Sequence, residues 1–120
     1  MFDIFDKNII RVPRGNTVTV CITPIDDVSG NPIVLAEGDS VVLSVASKTG
    51  EKVITKTLTS ANYDGEHEGA LICEFGPSDT KDLLTGEYPY DCLLIMPGIQ
   101  VTFITSSLIV TETIGGVNDE

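Results

Sequence analysis

The strongest constraint on this chain is a two-residue rhythm, in which Val, Ile and Leu alternate with Thr, Ser and charged residues in segment after segment. A period of two puts successive side chains on opposite faces of an extended backbone, whereas an amphipathic helix needs apolar residues three and four apart. Thr17 to Ile22 is the first clear case, with Val18, Val20 and Ile22 on one face and Cys21 on the other. Ser40 to Ala46 repeats it, with Val41, Leu43 and Val45 together. Such β-branched, Thr-rich runs fit a pleated, half-buried surface. Trp is absent and aromatics make up 6% of the chain, so the core must be aliphatic, with Phe and Tyr as local anchors.

Turn chemistry divides the rhythm into strands. Asn8 to Val12 reads as a short strand closed by Pro13-Arg14-Gly15, and Asp26 to Pro32 is a dense turn signal. Ile33 to Leu35 leads through a connector to Glu37-Gly38-Asp39. Ser47 to Glu51 reads as a tight hairpin into a strand over Val53 to Thr59. Residues 60–69 are polar and form the best candidate for a long exposed loop, after which Ala70 to Phe75 returns to strand character. One short helical turn is predicted near residues 78–84, with Ser78 as its cap, Asp79 and Asp82 near its positive end and Gly86 as its stop. Strands over Glu87 to Met96 and Ile99 to Ile104 follow, joined by Pro97-Gly98, and a last one covers Ser107 to Thr111.

Strands separated by turns, with no long helical pattern between them, predict an all-β fold: an antiparallel β-sandwich of seven or eight strands. The expected organisation is one domain over residues 1–112 and a flexible tail over 113–120.

Charge and composition narrow the function. Seven basic against eighteen acidic residues give a net charge of −11, which opposes binding to nucleic acid or to anionic membranes. No run approaches the ~20 apolar residues of a membrane helix, and the opening Met1 to Lys7 lacks the pattern of a secretory leader, so synthesis without a signal peptide is expected. Cys21, Cys73 and Cys92 form an odd set without a C-x-x-C pair, which encodes neither a disulfide framework nor a zinc site. Cys92 shares a phase with Tyr88, Tyr90 and Leu94, on a face expected to be buried.

His67 is the single histidine, and no nucleophile, phosphate-loop or zinc-helix motif is present, so no enzyme, cofactor or catalytic residue is expected. Asp64, Glu66 and Glu68 beside His67 are the candidates for a hard-cation site, although the alternating ladder and downstream Glu of a calcium loop are missing. The passage Leu83 to Asp91 resembles a tyrosine corner, in which a Tyr hydroxyl bonds backbone while its ring packs; Gly86, Tyr88 and Tyr90 are its structural residues. Pro89 cannot donate to a ladder, which predicts an edge or a bulge where that strand begins.

Three groups of residues carry a resemblance. Val12-Pro13-Arg14-Gly15-Asn16-Thr17 opens a Thr/Val strand; Ser29-Gly30-Asn31-Pro32 and Glu37-Gly38-Asp39 precede the Val41 to Val45 strand; and Asp79-Thr80-Lys81-Asp82-Leu83 is followed by Gly86, Tyr88, Tyr90 and Asp91. In these the chain resembles the immunoglobulin-like β-sandwich domains of tailed-phage and prophage virion proteins, of the type at the N-terminus of baseplate and tail-fibre proteins. The resemblance implies a structural module made in the bacterial cytoplasm that docks onto other virion subunits or associates with itself. Its expected contact surfaces are strand edges, with Asn8 to Val12 and Tyr88 to Met96 as the candidates. The alternative is an adhesin-like module that binds carbohydrate or a cation through the 60–69 loop, with Tyr63 as its nearby aromatic residue.

Overall fold

The computed structural model describes residues 8–26 and 28–112. The opening Met1 to Lys7, Asp27 of the first dense turn and the tail expected over 113–120 lie outside the described residues.

Among the described residues seven strands follow one another: β1 (Ile10–Pro13), β2 (Val18–Ile22), β3 (Ser40–Ala46), β4 (Lys52–Leu58), β5 (Leu71–Phe75), β6 (Gly86–Met96) and β7 (Ile99–Thr111). A 3-10 turn over Ser60–Asn62 precedes β5, and a single α-helical turn, α1 (Pro77–Thr80), follows it. Five strands form one sheet in the order β1-β7-β6-β3-β4, and β2 pairs with β5 in the second. The result is an all-β, sandwich-like fold. One pair departs from the expected antiparallel pattern: β1 runs parallel to β7, with Ile10 opposite Leu108 and Pro13 opposite Thr111. The chain then turns at Arg14-Gly15 to enter the opposite sheet as β2, and β1 stays behind as the outer strand of the five-stranded sheet.

The alternating residues meet between the sheets. Val41, Leu43 and Val45 of β3, Tyr90, Cys92 and Leu94 of β6, and Leu108 and Val110 of β7 are buried against Ile22 of β2 and Leu71, Cys73 and Phe75 of β5. Each fully buried aliphatic side chain contributes about 1.5–3 kcal/mol, so these positions hold the two layers together. Among the described residues no buried side-chain nitrogen or oxygen lacks a hydrogen-bond partner. Val18 and Val20 share the inward face of β2 but are only partly buried.

Several boundaries differ from the sequence reading. The two strands expected over Ile99 to Ile104 and Ser107 to Thr111 are one 13-residue strand, β7. Its partner β6 runs unbroken to Gly86, and that ladder carries the backbone through the polar Thr105-Ser106-Ser107 stretch. Phe103 is the extra residue of a bulge, because Cys92 pairs with Ile104 and Leu93 with Thr102. The β6–β7 hairpin turns at Pro97-Gly98, where Gly98 takes φ +74°, the conformation that a type II turn places at its second central position.

The helical turn is shorter than the expected 78–84 and is not capped by Ser78. Gly76 is the N-cap, Pro77 opens the turn, and the Asp79 carboxylate accepts from the Gly76 N–H at 2.8 Å. Pro fits the first helical position because its missing N–H has no partner to lose there. Gly86 lies well beyond this turn and instead opens β6.

Candidate functional site: loops, thiols and an open sheet edge

The tyrosine-corner segment has a definite geometry. The Tyr88 hydroxyl donates to the Leu84 carbonyl at 2.6 Å, and its ring is partly buried against the core. Tyr90 is buried and its hydroxyl donates to the Asn8 carbonyl, which ties the chain just before β1 to β6. Burial and the neighbouring Cys92 and Cys73 push the Tyr90 phenol above its ordinary range, so it stays a donor. Pro89 pairs with Ser107 of β7, and the pairing of β6 with β3 begins only at Tyr90. The proline therefore occupies the two-stranded start of a strand that is otherwise interior. Tyr88 to Met96 is not a sheet edge, which corrects the expectation for that strand: β6 lies between β7 and β3.

Polar contacts fasten the connections around this corner. The buried Thr80 hydroxyl accepts from the Gly15 N–H at 2.8 Å, joining α1 to the turn between β1 and β2. Lys56 of β4 meets Asp79 at 2.8 Å, and its ammonium stands 5.7 Å from the centre of the Phe75 ring. Partial burial raises the Asp79 pKa, but the hydrogen bonds from Lys56 and the Gly76 N–H, together with the Lys56 charge, outweigh it and leave the net shift downward.

The 60–69 segment is more ordered than a long exposed loop. Thr59 and Asn62 exchange side-chain and backbone hydrogen bonds around the 3-10 turn, and Tyr63 bridges to Leu71. Gly69 is buried with φ +78°, and a Cβ there would come within 3.0 Å of the Ile33 carbonyl oxygen and Pro32 Cβ. Only glycine lets the loop lie this close to that turn. The Asp64 carboxylate accepts from the Glu66 and His67 N–H groups and meets His67 Nδ1 at 3.0 Å. Those bonds, led by the His67 ring, hold its pKa down at about 2. Glu66 and Glu68 are exposed, and no cluster of three metal-ligating side chains occurs among the described residues. The three acids therefore surround a locally satisfied turn rather than a common centre.

The three thiols are free, with Cys21 exposed and Cys73 and Cys92 buried in opposite sheets. Burial pushes Cys73 up to about 11 and Cys92 up to about 12, so both are protonated near neutral pH and poor nucleophiles.

What remains is a sheet edge. β1 covers β7 only over Leu108 to Thr111, so the outer side of residues 99–107 has no strand partner among the described residues. From Cys92 to Thr111 there is no charged residue. Ile99 and Val101 on this stretch are 47% and 48% exposed, and Ile25 across from them is 44% exposed. They border a groove of about 710 Å³ between the Thr23–Ile33 connection and the β6–β7 hairpin, lined also by Pro24, Met96 and Phe103. By contrast the outer strands of the same sheet, β1 and β4, carry Arg11, Lys52 and Lys56. Charged side chains of that kind are how natural edges resist unwanted pairing. Sequence reasoning missed this site because it depends on strand order, although the charge-free run itself was visible.

No protein-family model matches the chain, and no curated protein matches it. No helix among the described residues is long and apolar enough to cross a membrane.

Proposed function

We propose that this chain is a non-catalytic assembly protein of a phage or prophage virion, a baseplate or tail component that acts through protein–protein contacts. The observation that carries the reading is the uncharged stretch of β7 over residues 99–107, which has no strand partner among the described residues and stands beside a groove lined by Ile25, Ile99 and Val101 together with Thr23 and Asp26. Unpaired N–H and C=O groups in a row bind an added strand by main-chain hydrogen bonds, and the adjoining pocket selects its side chains. The resemblance of the turn and corner motifs to virion sandwich domains supplies the setting: synthesis in the bacterial cytoplasm and incorporation into particles. A net charge of −11 argues against nucleic acid and anionic lipid as partners. The high thiol pKa values and the self-contained Asp64–His67 pair supply no nucleophile and base in common.

Mass spectrometry of purified particles from cells that carry the gene tests this reading. The chain is expected as a stoichiometric component, and its absence from intact particles would overturn the proposal. The rival adhesin-like reading draws on Tyr63, which is 46% exposed beside the 60–69 loop. It requires signal on a glycan array that falls at least by half in a Tyr63→Ala variant.

A further inference from the structure

We propose that residues 1–7 carry β1 onward along β7 and close its open edge, seating the side chains of Phe2 and Ile4 in the groove beside Ile99 and Val101. The edge then has a resident strand in the free chain, independent of the assembly reading, and a partner's strand reaches β7 only by displacing it. Register is the first ground. β1 runs parallel to β7 with Ile10 opposite Leu108 and Val12 opposite Val110, and all four side chains are buried between the sheets. The stretch of β7 that has no partner among the described residues lies directly upstream in that register. Asn8 lines the groove and is tied to β6 by the Tyr90 hydroxyl, so the chain enters β1 from the groove itself. Seven extended residues reach about 23 Å, enough to follow β7 back to Ile99.

Side-chain alternation is the second ground. It puts Phe2 and Ile4 on the same face as Ile10 and Val12, with Asp3 and Phe5 on the other. On β7 the inward positions change parity at the Phe103 bulge: Ile104 stands opposite the buried Cys92, whereas Val101 stands opposite the buried Leu94 and Ile99 opposite Met96. Taking up that extra residue sets Ile4 beside Val101 and Phe2 beside Ile99, the two half-exposed apolar side chains of this edge. Charge is the third ground. The segment brings Asp3, Asp6 and Lys7 to a strand with no charge from Cys92 to Thr111, and because it is attached at Asn8 it pairs without the approach of a second molecule of charge −11.

Amide exchange of the full chain, followed residue by residue by NMR, is the test. The amides of residues 99–106 that point away from β6 are expected to exchange at least about tenfold slower than exposed backbone, at a rate independent of protein concentration. A Phe2→Asp/Ile4→Asp variant is expected to lose that protection while the β3 amides stay protected, and Phe5→Asp, on the opposite face, is expected to keep it. Methyl contacts between Ile4 and Val101 in the unaltered chain are a second readout that needs no substitution. Exchange at the exposed rate in the full chain, or protection that survives Phe2→Asp/Ile4→Asp or the removal of residues 1–7, overturns the proposal. So does protection that rises with concentration, which would assign the edge to a second copy. The assembly reading stands or falls separately, on whether the chain is found in particles.

Discussion

At the scale of single residues, this sandwich is held at its corners by side chains that accept or donate one well-placed hydrogen bond. Tyr88 is one such residue: replacing it with Phe keeps the ring and removes the bond to the Leu84 carbonyl. The expected cost is about 0.5–1.5 kcal/mol, read as a fall in the melting temperature. Asp79 links stability to acid. Its pKa is lowered in the folded state, so its contribution is complete above the ordinary carboxylate value near ~3.9 and is lost as pH falls through the lower folded value. Thermal melts at pH 6 and below pH 3 should therefore show a smaller acid-induced drop in Asp79→Asn than in the unaltered protein; an equal drop would mean that the Lys56–Asp79 contact does not persist in solution. Cysteine chemistry separates by burial. Brief alkylation of the native protein at pH 8 should label Cys21 alone, because Cys73 and Cys92 are buried and protonated there. Intact-mass analysis showing more than one adduct, or a bridge between any two thiols, would contradict this arrangement.

At the scale of elements, the alternating pattern locates faces better than it locates ends or neighbours. Asp introduced at Val41 of β3 leaves an unpaired charge between the sheets and is expected to unfold the domain, since several kcal/mol is a large part of a total near ~5–15. Val20→Asp should cost less, because Val20 is partly exposed on a strand of the smaller sheet. Circular dichroism melts of the two variants give the order directly. β3 is legible to the residue because all three of its inward positions are Val or Leu and both ends abut turn residues. The last strand is not: Thr105-Ser106-Ser107 looks like a break, and only the continuous β6 ladder opposite shows that it is paired. Pro89 marks the edge at which β6 begins, but not the neighbours that the rest of the strand has. A proline does mark missing pairing, but here the gap is confined to the start of β6, and from Tyr90 onward the strand has neighbours on both sides. The acidic loop was legible as polar and exposed at Glu66 and Glu68, yet nothing in its composition shows that Gly69 is buried against Pro32 and Ile33. The candidate edge needed the parallel β1–β7 pairing, a contact between residues 98 apart that no local pattern encodes.

At the scale of the whole molecule, the parallel arrangement of the first and last strands decides how the domain carries mechanical load. β1 and β7 point the same way, so tension applied to the chain ahead of Ile10 and beyond Thr111 pulls the two strands past each other lengthwise. In that direction the ladder's hydrogen bonds share the force together, whereas an antiparallel terminal pair would open one bond at a time like a zip. A module strung between two neighbours would thereby act as a stiff link. Pulling on this chain by its two ends in a single-molecule instrument should give a high rupture force that falls sharply when Val12→Pro removes a backbone donor from the short parallel ladder.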